Sequence, residues 1–226
     1  MKPEIIRTKS FVKDAVVLIT NAAEKAIEER GYFRISLSGG NTPRPVYQAL
    51  ALCDCQWSKW IVIFGDERCV PPDDVQSNYH MASESFLLQT NPGEVFRLHG
   101  EIPPDEAAAQ YDEIIKALAV RFGEKRYSND LILLGLGDDG HTASLFPGTA
   151  ALTETSRNVV SNFVPKFDAY RLTSTYPLIN AARCIVFLVN DPEKEPVIQQ
   201  VLEGGHGFPA ENVKSAGGET IWLLKQ

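Results

Sequence analysis

Hydrophobic positions recur along this chain at the three- to four-residue spacing of a helix in some segments and at the two-residue spacing of a strand in others. The first set is spaced three or four residues apart and ends before Gly31: Val12, Val16, Ile19, Ala23 and Ile27. This spacing predicts an amphipathic helix that stops at a glycine. Phe33, Ile35 and Leu37 then alternate with polar residues, which predicts a strand.

The same alternation continues to the end of the chain. Further strands are predicted at 61–64, 95–98, 131–134, 184–189 and 220–224, and further helices at 46–52, 79–88, 105–122 and 193–202. Wholly apolar strands separated by helices are typical of a parallel sheet that is covered on both faces. The pattern predicts an α/β, doubly wound fold in a single domain spanning residues 1–226.

Composition narrows the function classes. Hydrophobic residues make up 44% of the 226 residues and charged residues 23%, as in an ordinary soluble globular protein. The formal net charge of −7 argues against a general nucleic-acid binder, because neutralising backbone phosphates needs a basic field. An anionic substrate would have to meet cations that are placed locally.

Cysteine content and apolar run lengths bear on location. The four cysteines are too few for a disulfide framework, and Cys53-Asp54-Cys55 lacks the two-residue gap of redox or zinc motifs. We therefore expect reduced thiols and a cytoplasmic location. The run from Ala15 to Ile19 is far shorter than the roughly 20 apolar residues that span a bilayer, so we expect no signal peptide and no membrane segment.

A glycine-containing loop follows the first predicted strand. Its sequence is Ser38-Gly39-Gly40-Asn41-Thr42-Pro43, and a helix is predicted directly after it. Ligands of open parallel sheets bind beyond the carboxyl ends of the strands. Free backbone N–H groups before a helix favour a phosphate there. The alternative is a plain tight turn with no ligand.

A second loop places charges directly after the predicted strand 61–64. Asp66, Glu67 and Arg68 stand where an unpaired buried charge would be costly, so they either pair with one another or face a polar ligand. For Asp66 and Glu67 both interpretations stay open. We favour a ligand contact for Arg68, because its guanidinium suits a carboxylate, a phosphate or a developing oxyanion.

The third loop, Gly135-Leu136-Gly137-Asp138-Asp139-Gly140-His141, has the glycine spacing of a dinucleotide-binding fingerprint. That interpretation fails, because Pro147 and Gly148 interrupt the chain where the fingerprint needs a helix. Asp139 and His141 instead suggest a histidine that a carboxylate orients as a general base. The alternative is a structural histidine in a turn.

Several motifs together carry a family resemblance over nearly the whole chain. They are SGGNTP, GDERCVPPDDVQSNYHM, LLGLGDDGHTASLFPGT, RLTSTYPLINAA and the closing TIWLL. In content, order and spacing they resemble the 6-phosphogluconolactonases of the glucosamine-6-phosphate isomerase/6-phosphogluconolactonase family. The resemblance implies a Rossmann-like, mostly parallel sheet with helices on both faces, and hydrolysis of 6-phosphogluconolactone to 6-phosphogluconate in the pentose phosphate pathway.

The resemblance also implies roles for individual residues. His141 would activate water, Asp139 would orient the imidazole and Arg68 would contact the substrate near the lactone. The phosphate would lie on the loop from Ser38 to Thr42, with Gly39 and Gly40 at its centre, and the cations Arg171 and Lys194 would be its partners. Neither a metal nor an organic cofactor is implied, and we expect a monomer whose partner is a small phosphorylated sugar lactone.

Two other functions stay open on the residues alone. A sugar-phosphate deaminase or isomerase on this fold would use Asp66 to abstract a proton and His141 to open the sugar ring. A resemblance to such deaminases would imply an aromatic residue after Asp-Glu, where this chain has Arg68. A non-catalytic phosphosugar-binding module would have no use for the pair Asp139 and His141.

Overall fold

The computed structural model describes residues 2–226, and it contains a seven-stranded sheet and a three-stranded sheet. The strands are β1 (Glu4–Thr8), β2 (Phe33–Leu37), β3 (Trp60–Phe64), β4 (Asp66–Arg68), β5 (Glu94–Val95), β6 (Leu131–Leu134), β7 (Val159–Val164), β8 (Ala169–Ser174), β9 (Cys184–Val189) and β10 (Glu219–Lys225). The large sheet has the order β1-β10-β9-β6-β2-β3-β5 with every neighbouring pair parallel.

Helices fill the connections between strands. They are α1 (Phe11–Arg30), α2 (Arg44–Leu50), α3 (Asn78–Ala82), α4 (Leu88–Thr90), α5 (Pro104–Arg121), α6 (Tyr176–Asn180) and α7 (Glu195–Glu203). The first helix ends as its sequence predicts: Gly31 takes a left-handed conformation with φ 84° and donates its backbone N–H to the carbonyl of Ile27.

The core lies on both faces of the large sheet. In β6, Leu131 and Leu133 belong to a cluster that includes the buried faces of α1, α2 and α5, whereas Ile132 and Leu134 belong to a second cluster that includes α7. Because alternate residues of a strand point to opposite faces, helices cover both sides of the sheet. The predicted α/β, doubly wound fold with a mostly parallel sheet is confirmed.

The direction of winding reverses between β2 and β6, which are neighbours in the sheet. After β2 the chain moves outward to β3 on one side, and β6 is followed in the large sheet by β9 on the other side. The loops that leave these two strands therefore separate and open a crevice at their carboxyl ends, where ligands of such folds bind. Both glycine-containing loops of the sequence lie there.

The three-stranded sheet, of order β4-β8-β7, is antiparallel and was not predicted. Its short strand β4 contains Asp66, Glu67 and Arg68, for which the sequence predicted a loop. These residues pair in register with Thr173, Leu172 and Arg171 of β8. The polar segment becomes a strand because a distant part of the chain supplies its partner, which local periodicity does not reveal.

Two predicted elements differ from the structure. The strand predicted at 95–98 is only Glu94–Val95, at the edge of the sheet where it has a single neighbour. The helix predicted at 79–88 is divided by a π-turn at Ser83–Leu87, which winds wider than the helices on either side. Apolar spacing cannot distinguish one wide turn from a regular one.

Among residues 2–226, no helix combines the length and the apolar character that crossing a membrane requires. The thiols of Cys53, Cys55, Cys69 and Cys184 are all free, as the sequence predicts. Strand β1 pairs with β10, so the beginning and the end of the described chain meet in one sheet.

Candidate active site

A cavity of about 340 Å³ lies at the point where the winding reverses. Segments that follow β2, β3, β6 and β9 line it, so four strand ends contribute to one space. The lining residues that carry functional groups are Ser38, Asn41, Thr42, Asp66, Arg68, His141, Thr142, Asn190, Asp191 and Lys194. The crevice predicted from the fold is therefore polar and open to a small ligand.

The loop after β2 forms one wall of the cavity. Gly40 has φ 92°, a backbone conformation that strains any residue with a Cβ atom. A Cβ atom on Gly39 would lie 1.8 Å from Oδ1 of Asn78, so a larger residue there would displace the Asn78 side chain. The buried Tyr47 hydroxyl holds the loop by accepting the N–H of Ser38 and donating to its carbonyl. The Ser38 hydroxyl is itself buried and has no hydrogen-bond partner among the described residues.

Asp66 and Glu67 have different surroundings. Asp66 lines the cavity, where its two carboxylate oxygens accept hydrogen bonds from the Asn78 amide at 3.0 Å and the Ser144 hydroxyl at 2.7 Å. Glu67 is almost completely buried and does not line the cavity. Its carboxylate accepts hydrogen bonds from the Ser77 hydroxyl and from the backbone N–H groups of Arg68, Asn78 and Tyr79.

Glu67 therefore joins β4 to the start of α3, and the structure gives it no place in the pocket. Burial raises the pKa of its carboxyl, although the hydrogen bonds from Asn78, Tyr79, Arg68 and Ser77 oppose that shift. Of the two carboxylates that the sequence left undecided, only Asp66 can reach a ligand in the cavity.

Arg68 lines the cavity, but Arg171 does not. The two residues lie opposite each other in the β4 and β8 register, and Arg171 faces a neighbouring depression, here called the outer depression, whose lining includes Gln76, Gly100, Pro104 and Phe167. Nη1 of Arg68 donates to the Gln76 carbonyl at 2.7 Å. Burial and the charge of Arg68 lower the pKa of Arg171.

Asp139 and His141 form a direct pair at the cavity wall. Nδ1 of His141 lies 2.5 Å from Oδ1 of Asp139, which leaves Nε2 as the nitrogen that can act on a ligand. Phe146 stacks on the imidazole at a centroid distance of 3.9 Å. A Cβ atom on Gly137 would lie 2.0 Å from the ring, so that glycine makes room for the histidine.

The loop that carries this pair contains no helix, which agrees with our rejection of a dinucleotide fingerprint. It is tied to the three-stranded sheet, because the backbone N–H of Ser144 donates to the Thr173 hydroxyl and the Asn162 amide donates to the carbonyl of Ser144. Ala143 has φ 47°, a conformation that costs a residue with a Cβ atom and that is frequent at functional sites.

Lys194 approaches the cavity from the turn after β9. Its Nζ donates to the carbonyl of Leu136 at 2.6 Å and lies 3.4 Å from the carboxylate of Asp138. Asp191 caps the turn by accepting the N–H of Glu193. Lys194 therefore brings a positive charge to the same cavity as the glycine-containing loop.

The structure thus brings together most residues that the sequence selected: Ser38, Gly39, Gly40, Asn41, Thr42, Asp66, Arg68, His141 and Lys194 line the cavity, with Asp139 directly behind His141. Glu67 and Arg171 lie outside its lining. Sequence reasoning did not single out Asn78, Ser144, Phe146 or Lys166, whose contacts join distant segments. Within residues 2–226, no three His, Cys, Asp or Glu side chains cluster as a metal site would require.

Comparison with known proteins agrees with this geometry. A family model described as glucosamine-6-phosphate isomerases/6-phosphogluconolactonase matches residues 7–222. The 6-phosphogluconolactonase of Synechocystis sp. is 41% identical, over 100% of this chain and 97% of that protein. The 6-phosphogluconolactonase of Nostoc sp. is 38% identical, over 95% of this chain and 91% of the relative.

Solved structures give the same result. The crystal structure of 6-phosphogluconolactonase from Thermotoga maritima superposes with a TM-score of 0.87 at 27% identity and covers 100% of both chains. The enzyme from Trypanosoma brucei gives a TM-score of 0.85 at 28% identity, over 99% of this chain and 96% of that one. This chain therefore belongs to the glucosamine-6-phosphate isomerase/6-phosphogluconolactonase family.

Proposed function

We propose that this chain hydrolyses 6-phospho-D-glucono-1,5-lactone to 6-phosphogluconate, the lactone-opening step in the oxidative branch of the pentose phosphate pathway. The observation that carries the proposal is the Asp139 and His141 pair, which opens onto the same cavity as the glycine-containing loop and Lys194. A base and a phosphate-binding wall in one small cavity suit a phosphorylated substrate that water must attack. The relatives named above carry the lactonase name.

The chemistry follows from the geometry of His141. Its Nδ1 is held by Asp139, so Nε2 is available to take a proton from a water molecule. The water oxygen bonds to the lactone carbonyl carbon, and the carbonyl becomes a tetrahedral oxyanion. Collapse of this intermediate breaks the bond between that carbon and the ring oxygen, which receives the proton from His141 as it leaves. The proposed enzyme is thus a carboxylic ester hydrolase.

The substrate lies between two walls of the cavity. The phosphate is placed on the backbone of Ser38–Thr42, with Lys194 as a cation, and the lactone carbonyl faces His141 and Arg68. Arg171 stays a candidate phosphate partner only if the ligand reaches beyond the cavity lining, because it faces the outer depression.

A sugar-phosphate deaminase or isomerase is the rival on the same fold. Asp66 would then be the base, but both of its carboxylate oxygens already accept hydrogen bonds from Asn78 and Ser144. Arg68, with its charge at the cavity wall, suits an oxyanion that develops at a carbonyl. These contacts favour hydrolysis over proton abstraction from carbon.

One experiment separates the two activities. Freshly generated 6-phosphogluconolactone and glucosamine 6-phosphate are offered to the same purified preparation, and acid formation and ammonia release are followed. We expect acid formation well above spontaneous hydrolysis, no ammonia, and no loss of rate in EDTA. Ammonia release without accelerated lactone opening would replace the proposal with the deaminase, and loss of rate in EDTA would contradict a metal-independent mechanism.

We also infer that the chain acts as a monomer in the cytoplasm. The cavity draws on four strand ends of one chain, so catalysis as proposed needs no residue from a second copy. Light scattering of the active protein is expected to give the mass of one chain, and a dimer at assay concentration would contradict this inference.

A further inference from the structure

The turn between β7 and β8 lies against the Asp139 and His141 pair. Lys166, in this turn, places Nζ 2.9 Å from Oδ2 of Asp139, while His141 holds Oδ1 of the same carboxylate. Lys166 is separated from Asp139 by 27 positions in the chain, so the contact is made by the fold. Each oxygen of the carboxylate thus has a cationic or potentially cationic partner.

The same turn reaches the imidazole from a second direction. Phe167 packs edge-on against Phe146 at a centroid distance of 5.6 Å, and Phe146 stacks on the His141 ring. The turn is held by Asp168, which has φ 48° and donates its N–H to the carbonyl of Pro165. The turn between β7 and β8 therefore restrains the Asp139 carboxylate through the charge of Lys166. It also restrains the His141 imidazole, because Phe167 packs against the ring that stacks on it.

The electrostatic effect of Lys166 can be stated from these contacts. Burial raises the pKa of Asp139, but the hydrogen bonds from His141 and Lys166 outweigh that effect and lower it to about 2. Asp139 is therefore an anion shared between two partners. The other charged side chains that line the cavity with the imidazole are Asp66, Arg68, Asp191 and Lys194.

We propose that Lys166 is a positioning residue for the hydrolysis: it holds the second oxygen of Asp139, fixes the rotation of that carboxylate, and limits how strongly Asp139 favours the protonated form of His141. This inference rests on the proposed function, because the protonation of His141 affects the rate only if His141 is the base of the reaction. Lys166 contacts no substrate, since it does not line the cavity.

Removing the Lys166 charge should make the imidazolium easier to form. Asp139 would then act on His141 alone, and one positive charge near the ring would be lost. A general base must be unprotonated to act, so the acidic limb of the kcat/KM profile should move to higher pH. Because the Lys166 side chain is 56% exposed, solvent screening keeps the effect small.

The test compares Lys166→Gln with Lys166→Arg, which keeps the charge, and with Lys59→Gln as a matched control. Lys59 is exposed and forms no ion pair with the rest of residues 2–226. For Lys166→Gln we expect the acidic limb to move up by about 0.3 to 0.7 pH units and kcat/KM on that limb to fall about twofold to fivefold, the range of an exposed ion pair. Lys166→Arg should restore the profile.

A second readout does not depend on turnover. The ring signals of His141, assigned by their loss in His141→Asn, are titrated by NMR in the natural chain and in Lys166→Gln. The titration midpoint should move to higher pH in Lys166→Gln and stay in place in Lys59→Gln. If the natural chain opened no lactone but the midpoint still moved, the proposed function would fail and the positioning role would stand. An unchanged midpoint and pH profile would overturn the inference.

Discussion

The two ends of the parallel sheet both contain charged residues with little exposure to solvent, but the ends differ in whether the arginines have carboxylate partners within the protein. At the amino end, the side chain of Arg34 is fully buried, and its guanidinium meets Glu124 at 2.8 Å and Asp130 at 3.7 Å. Arg30 and Arg183 also reach Asp130, at 3.0 and 3.3 Å. Cations and carboxylates at this end are therefore partnered within the protein.

At the carboxyl end, arginines are left without carboxylate partners. Within residues 2–226, neither Arg68 nor Arg171 forms an ion pair, although Asp66 and Glu67 are their neighbours in the chain or in the sheet. Those carboxylates are occupied instead by Asn78, Ser144, Ser77 and backbone N–H groups. The charge of Arg68 is thus available at the cavity.

The difference separates stability from function. A buried charge whose partners are internal should matter for folding and little for chemistry, because removing it leaves an uncompensated opposite charge. A poorly exposed charge without an internal partner costs stability, and a bound ligand of opposite charge can compensate it. Replacing an arginine at the amino end should therefore lower the free energy of unfolding, whereas replacing one at the cavity should lower kcat/KM.

The largest expected effect is at the carboxyl end. Replacing His141 with Asn removes the base but keeps a polar side chain of similar breadth, and kcat should fall about 100-fold to 10,000-fold. The thermal midpoint should change little, because the imidazole is part of the cavity wall. Steady-state kinetics and thermal unfolding of the same preparation check this, and near-normal turnover would remove His141 from the mechanism.

The largest expected effect on folding is at the amino end. Replacing Arg34 with Met leaves Glu124 and Asp130 without their central cation, which should lower the free energy of unfolding by about 3 to 5 kcal/mol. The kcat/KM of the folded fraction should not change. Urea denaturation measures the loss, and Arg97→Met, which breaks the more exposed pair with Glu101, is the control and should cost at most about 1 kcal/mol. A comparable loss in the control would contradict the comparison.

Replacing Arg68 with Gln should produce the opposite result. The substrate loses a charge-assisted hydrogen bond worth about 1.5 to 3 kcal/mol, so kcat/KM should fall roughly 10-fold to 100-fold. The free energy of unfolding should change by less than about 1 kcal/mol, because the lost bond to the Gln76 carbonyl is offset by relief of repulsion from Arg171. A large loss of stability with normal kinetics would make Arg68 a structural residue.

The smallest expected effect is a pH dependence of stability. The pKa of Asp139 is lowered from 3.8 to about 2 in the folded chain, so the folded state binds fewer protons than the unfolded state between those values. The stabilising contribution of Asp139 is therefore complete above about pH 4 and is lost as the pH falls toward about 2. Urea denaturation of the natural chain and Asp139→Asn should show a difference that is constant above that window and shrinks within it. A difference that grew on acidification would contradict the pairing.

The sequence predicted the features of the fold and the site that depend on local pattern. Apolar runs such as Leu131–Leu134 identify buried parallel strands, and the residues after each strand identify the functional end of the sheet. Arg68, Asp139 and His141 could be selected for this reason. The family resemblance added roles that spacing alone left open.

Contacts between distant segments could not be predicted in this way. Lys166 reaches Asp139 only because β7 and β8 pair beside the loop that carries Asp139 and His141, and neither strand was recognised. Glu67 looked like a candidate ligand because its charge follows a strand, but four hydrogen bond donors from Arg68 and the start of α3 occupy it. Charge in a sequence indicates a polar environment, and only the fold decides whether that environment is internal.

The most direct test of whether the cavity at the carboxyl end of the sheet binds the substrate is a crystal structure of the chain with 6-phosphogluconate, the product of the proposed reaction. We expect the phosphate on the backbone of Ser38–Thr42 within reach of Lys194, and the new carboxylate beside His141 and Arg68. A product bound in the outer depression beside Arg171, with the cavity left to solvent, would contradict it.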